Sequence, residues 1–204
     1  MKKAEQTIIG LTGPYCAGKN HVARLLENRG LAVLDLDRLG YRAIEEERAA
    51  ILDCFGRSVL DGKGAVDRRR LGERVFGKPE ELRSLEAIVH PVVDRMTAEW
   101  MDSRQGPWVL NAAVLHKSAY FSRLDCLILV EAPLPTRLLR ARKRDRLSWI
   151  SLLKRFTSQR NFTSQYLRLN ADIYRVENRG LGIPHDQGKL EARIDEILSG
   201  EGIR

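Results

Sequence analysis

The chain has 204 residues, 43% hydrophobic and 30% charged, with 35 Lys and Arg against 27 Asp and Glu, a formal net charge of +8 and a pI of about 9.7. That length suits one domain with a sizeable core, and the apolar content excludes a disordered chain. No apolar stretch approaches the ~20 residues of a membrane span, and the short run after Gln6 falls below the ~7–15 residues of a secretory signal, so the cytoplasm is the expected compartment.

Thr7-Ile8-Ile9-Gly10-Leu11-Thr12 is apolar, β-branched and closed by Gly13-Pro14, which predicts a buried strand. Val22, Leu25 and Leu26 then repeat at helical spacing up to a stop at Gly30. Leu31-Ala32-Val33-Leu34-Asp35 reads as a second buried strand, and strand, helix and strand in such short compass imply a parallel α/β sheet. From Arg38 to about Gln105 the pattern is mainly helical, broken at Asp61-Gly62-Lys63-Gly64 and Gly77-Lys78-Pro79. Such an excursion off a sheet often holds a second substrate. Trp108-Val109-Leu110 and Leu124-Asp125-Cys126-Leu127-Ile128-Leu129-Val130 are two more expected strands. Pro133 opens a basic helix to about Arg146, and another helix is expected near Trp149–Asn161. Ile173-Tyr174-Arg175-Val176-Glu177 is the expected last strand, ended by Asn178-Arg179-Gly180, and 188–199 is a closing helix.

Gly13-Pro14-Tyr15-Cys16-Ala17-Gly18-Lys19-Asn20 fits G-x-x-x-x-G-K-[ST] at every fixed position but the last. Glycines let backbone N–H groups curl round an anion, and a helix start adds the positive end of its dipole. Lys19 then reaches the β- and γ-phosphates. Thr12 and His21 flank the loop and join it as expected nucleotide-site residues; Thr12 would either donate to a phosphate or simply end its strand. At Asn20 a Ser or Thr hydroxyl would ligate Mg²⁺. An amide oxygen also ligates hard cations but sits on a longer, bulkier side chain, so Asn20 is expected to hold metal weakly or through water.

The charge is uneven. Residues 1–136 carry a net +1, 137–180 a net +9, and 181–204 a net −2. The +9 block needs an anionic partner, and nucleic acid, membrane phosphate and nucleotide phosphate all qualify. A nucleic-acid site interleaves aromatics with basics, and Arg137–Arg146 contains none, although Trp149, Phe156, Phe162 and Tyr166 follow. Within the block, Arg137, Arg142, Lys143 and Arg146 are expected to form a solvated basic face. Arg140 and Arg144, four apart, share one face of the helix. Three scattered cysteines indicate neither disulfides nor a zinc ribbon, and Cys54 and Cys126 are expected to be small buried hydrophobes. Trp100, Trp108 and Trp149 are expected in packing, and His21, His116 and His185 show no ligand spacing. Asp35 and Asp37 would project to one side if their strand continues, and Asp37 would also suit a helix N-cap.

Taken in order, Ile9-Gly10-Leu11-Thr12-Gly13, Asp35-Leu36-Asp37, Asp61-Gly62, Asp67-Arg68, Leu71, Val75-Phe76, Leu85-Glu86, His90-Pro91, Arg140, Arg144, Gln159, Ala171-Asp172 and Asn178 resemble the motifs of the dephospho-coenzyme A kinases. Two places depart from that pattern. One is Asn20; the other is Asn111-Ala112-Ala113-Val114-Leu115-His116, where the family usually carries Pro-Leu-Leu and an acidic residue.

The resemblance implies a three-layer α/β sandwich of the P-loop NTPase type, forming one kinase domain. Its core would be about 1–37, 107–136 and 170–204, with a helical acceptor-binding insertion at about 38–106 and a basic lid at about 137–169. The implied reaction is transfer of phosphate from ATP, with Mg²⁺, to the ribose 3′-hydroxyl of dephospho-coenzyme A. Asp37 would be the base supported by Asp35, Lys19 and Arg140 would act on the phosphates, and Arg144 and Asn178 would bind nucleotide. His90 would border the acceptor. A kinase for another small hydroxyl or nucleotide, and a catalytically weakened nucleotide or nucleic-acid binder, stay open at this point. The implied partner is a small molecule and no membrane.

Overall fold

Strand β1 (Ile8–Thr12) is buried at all five positions, as its continuous apolar run requires of a central strand. It pairs in parallel with β3 (Trp108–Asn111) on one side, from Ile8 opposite Trp108 to Leu11 opposite Asn111. On the other side it pairs in parallel with β4 (Cys126–Glu131), whose first five residues are buried. With β2 (Ala32–Asp35) and β5 (Asp172–Glu177) the computed structural model has an all-parallel sheet in the order β2-β3-β1-β4-β5. β5 lies at its edge and buries only Val176, which explains its mixed composition.

The structure describes residues 6–145, 152, 156–157, 159, 162–166, 169–180 and 184–203. The chain divides into two units, one of Met1–Leu34 with Ser103–Arg204 and one of Asp35–Asp102. In the first, helix α1 (Lys19–Glu27) buries Val22, Ala23, Leu25 and Leu26. These pack with Ile9 and Leu11 of β1, Ile128 and Val130 of β4, and Leu190, Ile194 and Ile197 from the closing helix Pro184–Gly200. Each fully buried Leu or Ile contributes roughly 1.5–3 kcal/mol. The basic helix runs Leu134–Asp145.

The Asp35–Asp102 unit holds α2 (Leu36–Glu46), α3 (Arg48–Phe55), α4 (Arg68–Val75) and α5 (Pro79–Asp102). The basic helix Leu134–Asp145 is therefore α6, and Pro184–Gly200 is α7. The unit has its own core of Ile51, Phe55, Val59, Val66, Leu71 and Val75. The Asp61-Gly62 turn is closed by the Asp61 carboxylate, which accepts from the N–H groups of Lys63 and Ala65 at 2.8 and 3.0 Å. Asp67 caps α4 by accepting from Arg69 and Arg70 N–H.

Several expectations are corrected. β2 ends at Asp35 and a helix starts at Leu36, so Asp35 and Asp37 do not share a continuing strand. Asp35, not Asp37, is the N-cap: its Oδ1 accepts from Arg38 N–H at 3.1 Å, while Asp37 lies in the first turn. Cys54 is exposed on α3, whereas Cys126 is buried, and burial pushes its thiol pKa up. The closing helix begins at Pro184 rather than 188. Trp149, Arg146 and most of the helix expected at Trp149–Asn161 lie outside the described residues, as does the side chain of His185. No helix among the described residues is long and apolar enough to cross a membrane.

Candidate phosphate-binding site

The loop leaving β1 is shaped by two close approaches. A Cβ on Gly13 would sit 2.5 Å from the carbonyl oxygen of Val130, so no side chain fits where the loop crosses β4. Gly18 holds φ +97°, and a Cβ there would lie 2.1 Å from Asn178 Nδ2. Cys16 also adopts a positive φ of 61°, the strained region for a residue with a side chain. Between them Pro14 O accepts from Ala17 N–H at 2.9 Å, so the loop closes on itself. It ends on the start of α1, which has neither a side-chain cap nor an acidic residue in its first turn. A bare helix start behind a tight glycine loop presents its backbone N–H groups and dipole to an anion. Lys19 is the first residue of that helix.

Polar side chains hold the loop from behind. Arg140 of α6 donates through NH1 to Ala17 O at 3.0 Å and Cys16 O at 3.4 Å. Its other nitrogen donates to Asn178 Oδ1 at 3.0 Å and to the carbonyls of Asn178 and Gly180 at 3.2 and 2.6 Å. Asn178, just past β5, returns Nδ2 to Ala17 O at 3.1 Å. Arg140 and Asn178, both expected at the nucleotide, are thus brought together on the loop, where the Arg140 guanidinium donates to backbone carbonyls. Arg137, expected on a solvated face, is half-buried instead. Its Nε donates to Tyr15 O at 2.8 Å and its guanidinium lies 4.8 Å over the Phe156 ring. Burial lowers the pKa of both arginines below the ordinary guanidinium value.

Tyr15 is the meeting point with the rest of the basic segment. Its N–H donates to Gln159 Oε1 at 2.7 Å, its hydroxyl donates to Asp145, and Arg144 lies 5.0 Å over its ring. Arg144 also pairs with Asp145 at 2.7 Å. Thr12 is fully buried and its hydroxyl donates to Ala112 O at 2.8 Å, so it ends the strand and ties β1 to the segment after β3. The Tyr166 hydroxyl lies 3.1 Å from Thr12 Oγ1 and 3.4 Å from His116 Nδ1. Sequence reading missed Tyr166, and its only signal was an aromatic placed after the basic block.

Asn20 is exposed in the first turn of α1, and its Oδ1 accepts from Asn111 Nδ2 at 3.4 Å. Asn111, at the carboxyl end of β3, is only 2% exposed, and its Oδ1 has no hydrogen-bond partner among the described residues. A cavity of about 290 Å³ adjoins the loop, with Gly18, His21, Arg140, Asn178, Gln187 and Leu190 among its lining. Burial, and then the charges of Arg24 and Arg140, hold the His21 imidazole below its ordinary pKa. Asp35, Asp37 and the half-buried His90 belong to the Asp35–Asp102 unit, with His90 on α5 immediately before the in-helix Pro91.

Comparison with known proteins gives a consistent result. The family model described as dephospho-CoA kinase matches residues 7–180. A dephospho-CoA kinase of Treponema denticola is 32% identical over 86% of this chain and 83% of its own length. One from Thermus thermophilus is 40% identical over 74% of each. The crystal structure of TT1252 from Thermus thermophilus superposes with a TM-score of 0.78 at 34% identity, over 95% of this chain and 97% of that one.

Proposed function

The chain belongs to the dephospho-CoA kinase family, and from that premise we propose that it transfers the γ-phosphoryl group of ATP to the ribose 3′-hydroxyl of dephospho-coenzyme A. The observation that carries the phosphate half is the Gly13–Lys19 loop, wound by Gly18 at φ +97° onto an uncapped helix start. Backbone N–H groups and Lys19 hold the β- and γ-phosphates, and the cavity beside Gly18 and Asn178 receives the nucleoside. Arg140 and Arg137 act as positioning residues that fix the loop carbonyls. Arg144, whose guanidinium lies over the Tyr15 ring beside the loop, is the arginine of α6 to which we assign the offset of charge on the transferring group.

The acceptor half rests on the family resemblance. The Asp35–Asp102 unit supplies it, with His90 bordering the acceptor. Asp37 orients the 3′-hydroxyl and accepts its proton as the oxygen bonds to the γ-phosphorus and ADP leaves. Asp35, as the cap of α2, sets the first turn on which Asp37 stands. Amide oxygens are hard donors, and the buried Asn111 Oδ1 beside Asn20, without a hydrogen-bond partner among the described residues, is compatible with a divalent cation. When bound, Mg²⁺ would neutralise negative charge on the nucleotide phosphates.

The test is purified protein with Mg-ATP and dephospho-coenzyme A, scored for ADP and coenzyme A in equal amounts. Absence of both products overturns the reading. Asp37→Asn is expected to lower kcat by about 10²–10⁴-fold with little change in ATP affinity. Turnover at the wild-type rate in that variant would remove Asp37 as the base.

A further inference from the structure

Position 15 is one that the G-x-x-x-x-G-K pattern leaves open, and this chain fills it with tyrosine, the one aromatic residue of the loop. Its backbone is pinned at both ends: the N–H donates to Gln159 Oε1 at 2.7 Å, and the carbonyl accepts from Arg137 Nε at 2.8 Å. That fixes the direction in which the side chain leaves the loop. The ring makes a T-shaped contact with Phe156, centroids 5.5 Å apart, and the Arg144 guanidinium lies 5.0 Å over it. The Tyr15 hydroxyl donates to Asp145, whose carboxylate accepts from Arg144 Nε at 2.7 Å and from its NH2 at 3.1 Å. Ring, carboxylate and guanidinium thus close a triangle at the end of α6.

The Arg144 side chain is 60% exposed, and an arginine held by nothing spreads over many rotamers. Here two hydrogen bonds and a ring face fix it. The bonds to Asp145 use two of its five N–H groups and leave three that can meet an anion. Arg137 and Arg140, by contrast, give theirs to loop carbonyls. We propose that Tyr15 is a positioning residue for the transfer, setting the Arg144 guanidinium beside the phosphate loop directly through its ring and, through Asp145, by its hydroxyl. A cation held over a ring keeps its charge while losing rotamer freedom, so the group is preorganised before the phosphates arrive. Because Tyr15 belongs to the loop, the segment that holds the phosphates also sets the arginine. The inference rests on the assignment of Arg144 to the transferring group, names what holds it there, and does not depend on the identity of the acceptor.

The experiment is a double-mutant cycle on kcat with Mg-ATP and saturating dephospho-coenzyme A, with ADP affinity measured by calorimetry alongside. Arg144→Gln is expected to lower kcat about 100-fold. Tyr15→Phe keeps the ring and is expected to lower kcat about threefold; Tyr15→Leu removes ring and hydroxyl and is expected to lower it about tenfold. ADP affinity should stay within about twofold of wild type in both. In the Arg144→Gln background Tyr15→Leu should have no further effect. A full additional fall there, or wild-type kcat in Tyr15→Leu, overturns the proposal. So does a loss of ADP affinity as large as the loss of kcat, which would mark a role in shaping the loop alone. Placement is read without turnover from the Arg144 Nε–H proton resonance, which the Tyr15 ring current shifts. That shift should persist in Tyr15→Phe and vanish in Tyr15→Leu, and its persistence in Tyr15→Leu also overturns the proposal. Wild-type kcat in Arg144→Gln would overturn the assignment of Arg144 itself, a result distinct from an additive cycle.

Discussion

In the Asp35–Asp102 unit, Arg69 faces Glu73 one turn away at 3.6 Å, with side chains 82% and 68% exposed, whereas Arg140 in the sheet unit gives its N–H groups to carbonyl oxygens of Cys16, Ala17, Asn178 and Gly180. The first arrangement is typical of its unit: Arg70 with Asp67 and Arg95 with Glu99 are likewise intrahelical or capping pairs on solvated surface. Water screens such pairs and they contribute little. The second arrangement uses the planar fork of arginine as a clamp on irregular backbone that no helix or sheet ladder satisfies. Equal formal charges therefore do unequal work. Part of the +9 carried by 137–180 is consumed inside the fold, which a count of basic residues cannot reveal.

The sharpest way to break the clamp is Gly18→Ala. The positive φ disfavours any side chain, and the new Cβ would meet Asn178 Nδ2, displacing the residue that links Arg140 to the loop. ADP affinity is expected to fall by about 100-fold or more in calorimetric titration, some 2.7 kcal/mol. Next comes Arg140→Lys, which keeps the charge and removes the fork. One ammonium cannot serve carbonyls on both sides of the loop, and the loss is expected to be about 2 kcal/mol in urea unfolding. A wild-type midpoint for Arg140→Lys would show that charge alone matters there.

A smaller effect concerns pH. The folded pKa of His21 lies below its unfolded value of about 6.5, so the unfolded chain takes up the proton first. Stability from this site is full above that value and declines as pH falls below it. His21→Asn should flatten the urea midpoint between pH 7 and pH 5 relative to wild type. The smallest effect is expected on the other side of the comparison: Arg69→Ala should change stability by less than about 0.5 kcal/mol. A larger loss would show that the exposed pairs of the helical unit are more than solvated charge.

Legibility followed the range of the interactions concerned. The buried strands and the glycine loop were readable because hydrophobic runs and G-x-x-x-x-G-K spacing are local. Asp37 illustrates the opposite. Two carboxylates at a spacing of two look like one strand face, but a helix begins between them and gives the cap to Asp35. Arg137 looked solvated beside Arg142, because nothing local shows that Tyr15, 122 residues away, offers it a carbonyl. Cys54 looked like a core residue on composition alone, yet it lies on the exposed side of α3, while Ile51 and Phe55 take the core.

The sequence by itself determined the parallel α/β sheet, the phosphate loop and the family resemblance, since each is written in adjacent residues or in the order of short motifs. Tertiary structure decided which arginines are clamps, that Thr12 ends a strand, and that Asn111 sits buried beside Asn20 with one oxygen unpartnered among the described residues. These outcomes depend on backbone carbonyls and amides brought together across 91 to 124 positions of chain. A backbone acceptor has no residue identity for a sequence to record, so only folding could assign its donor.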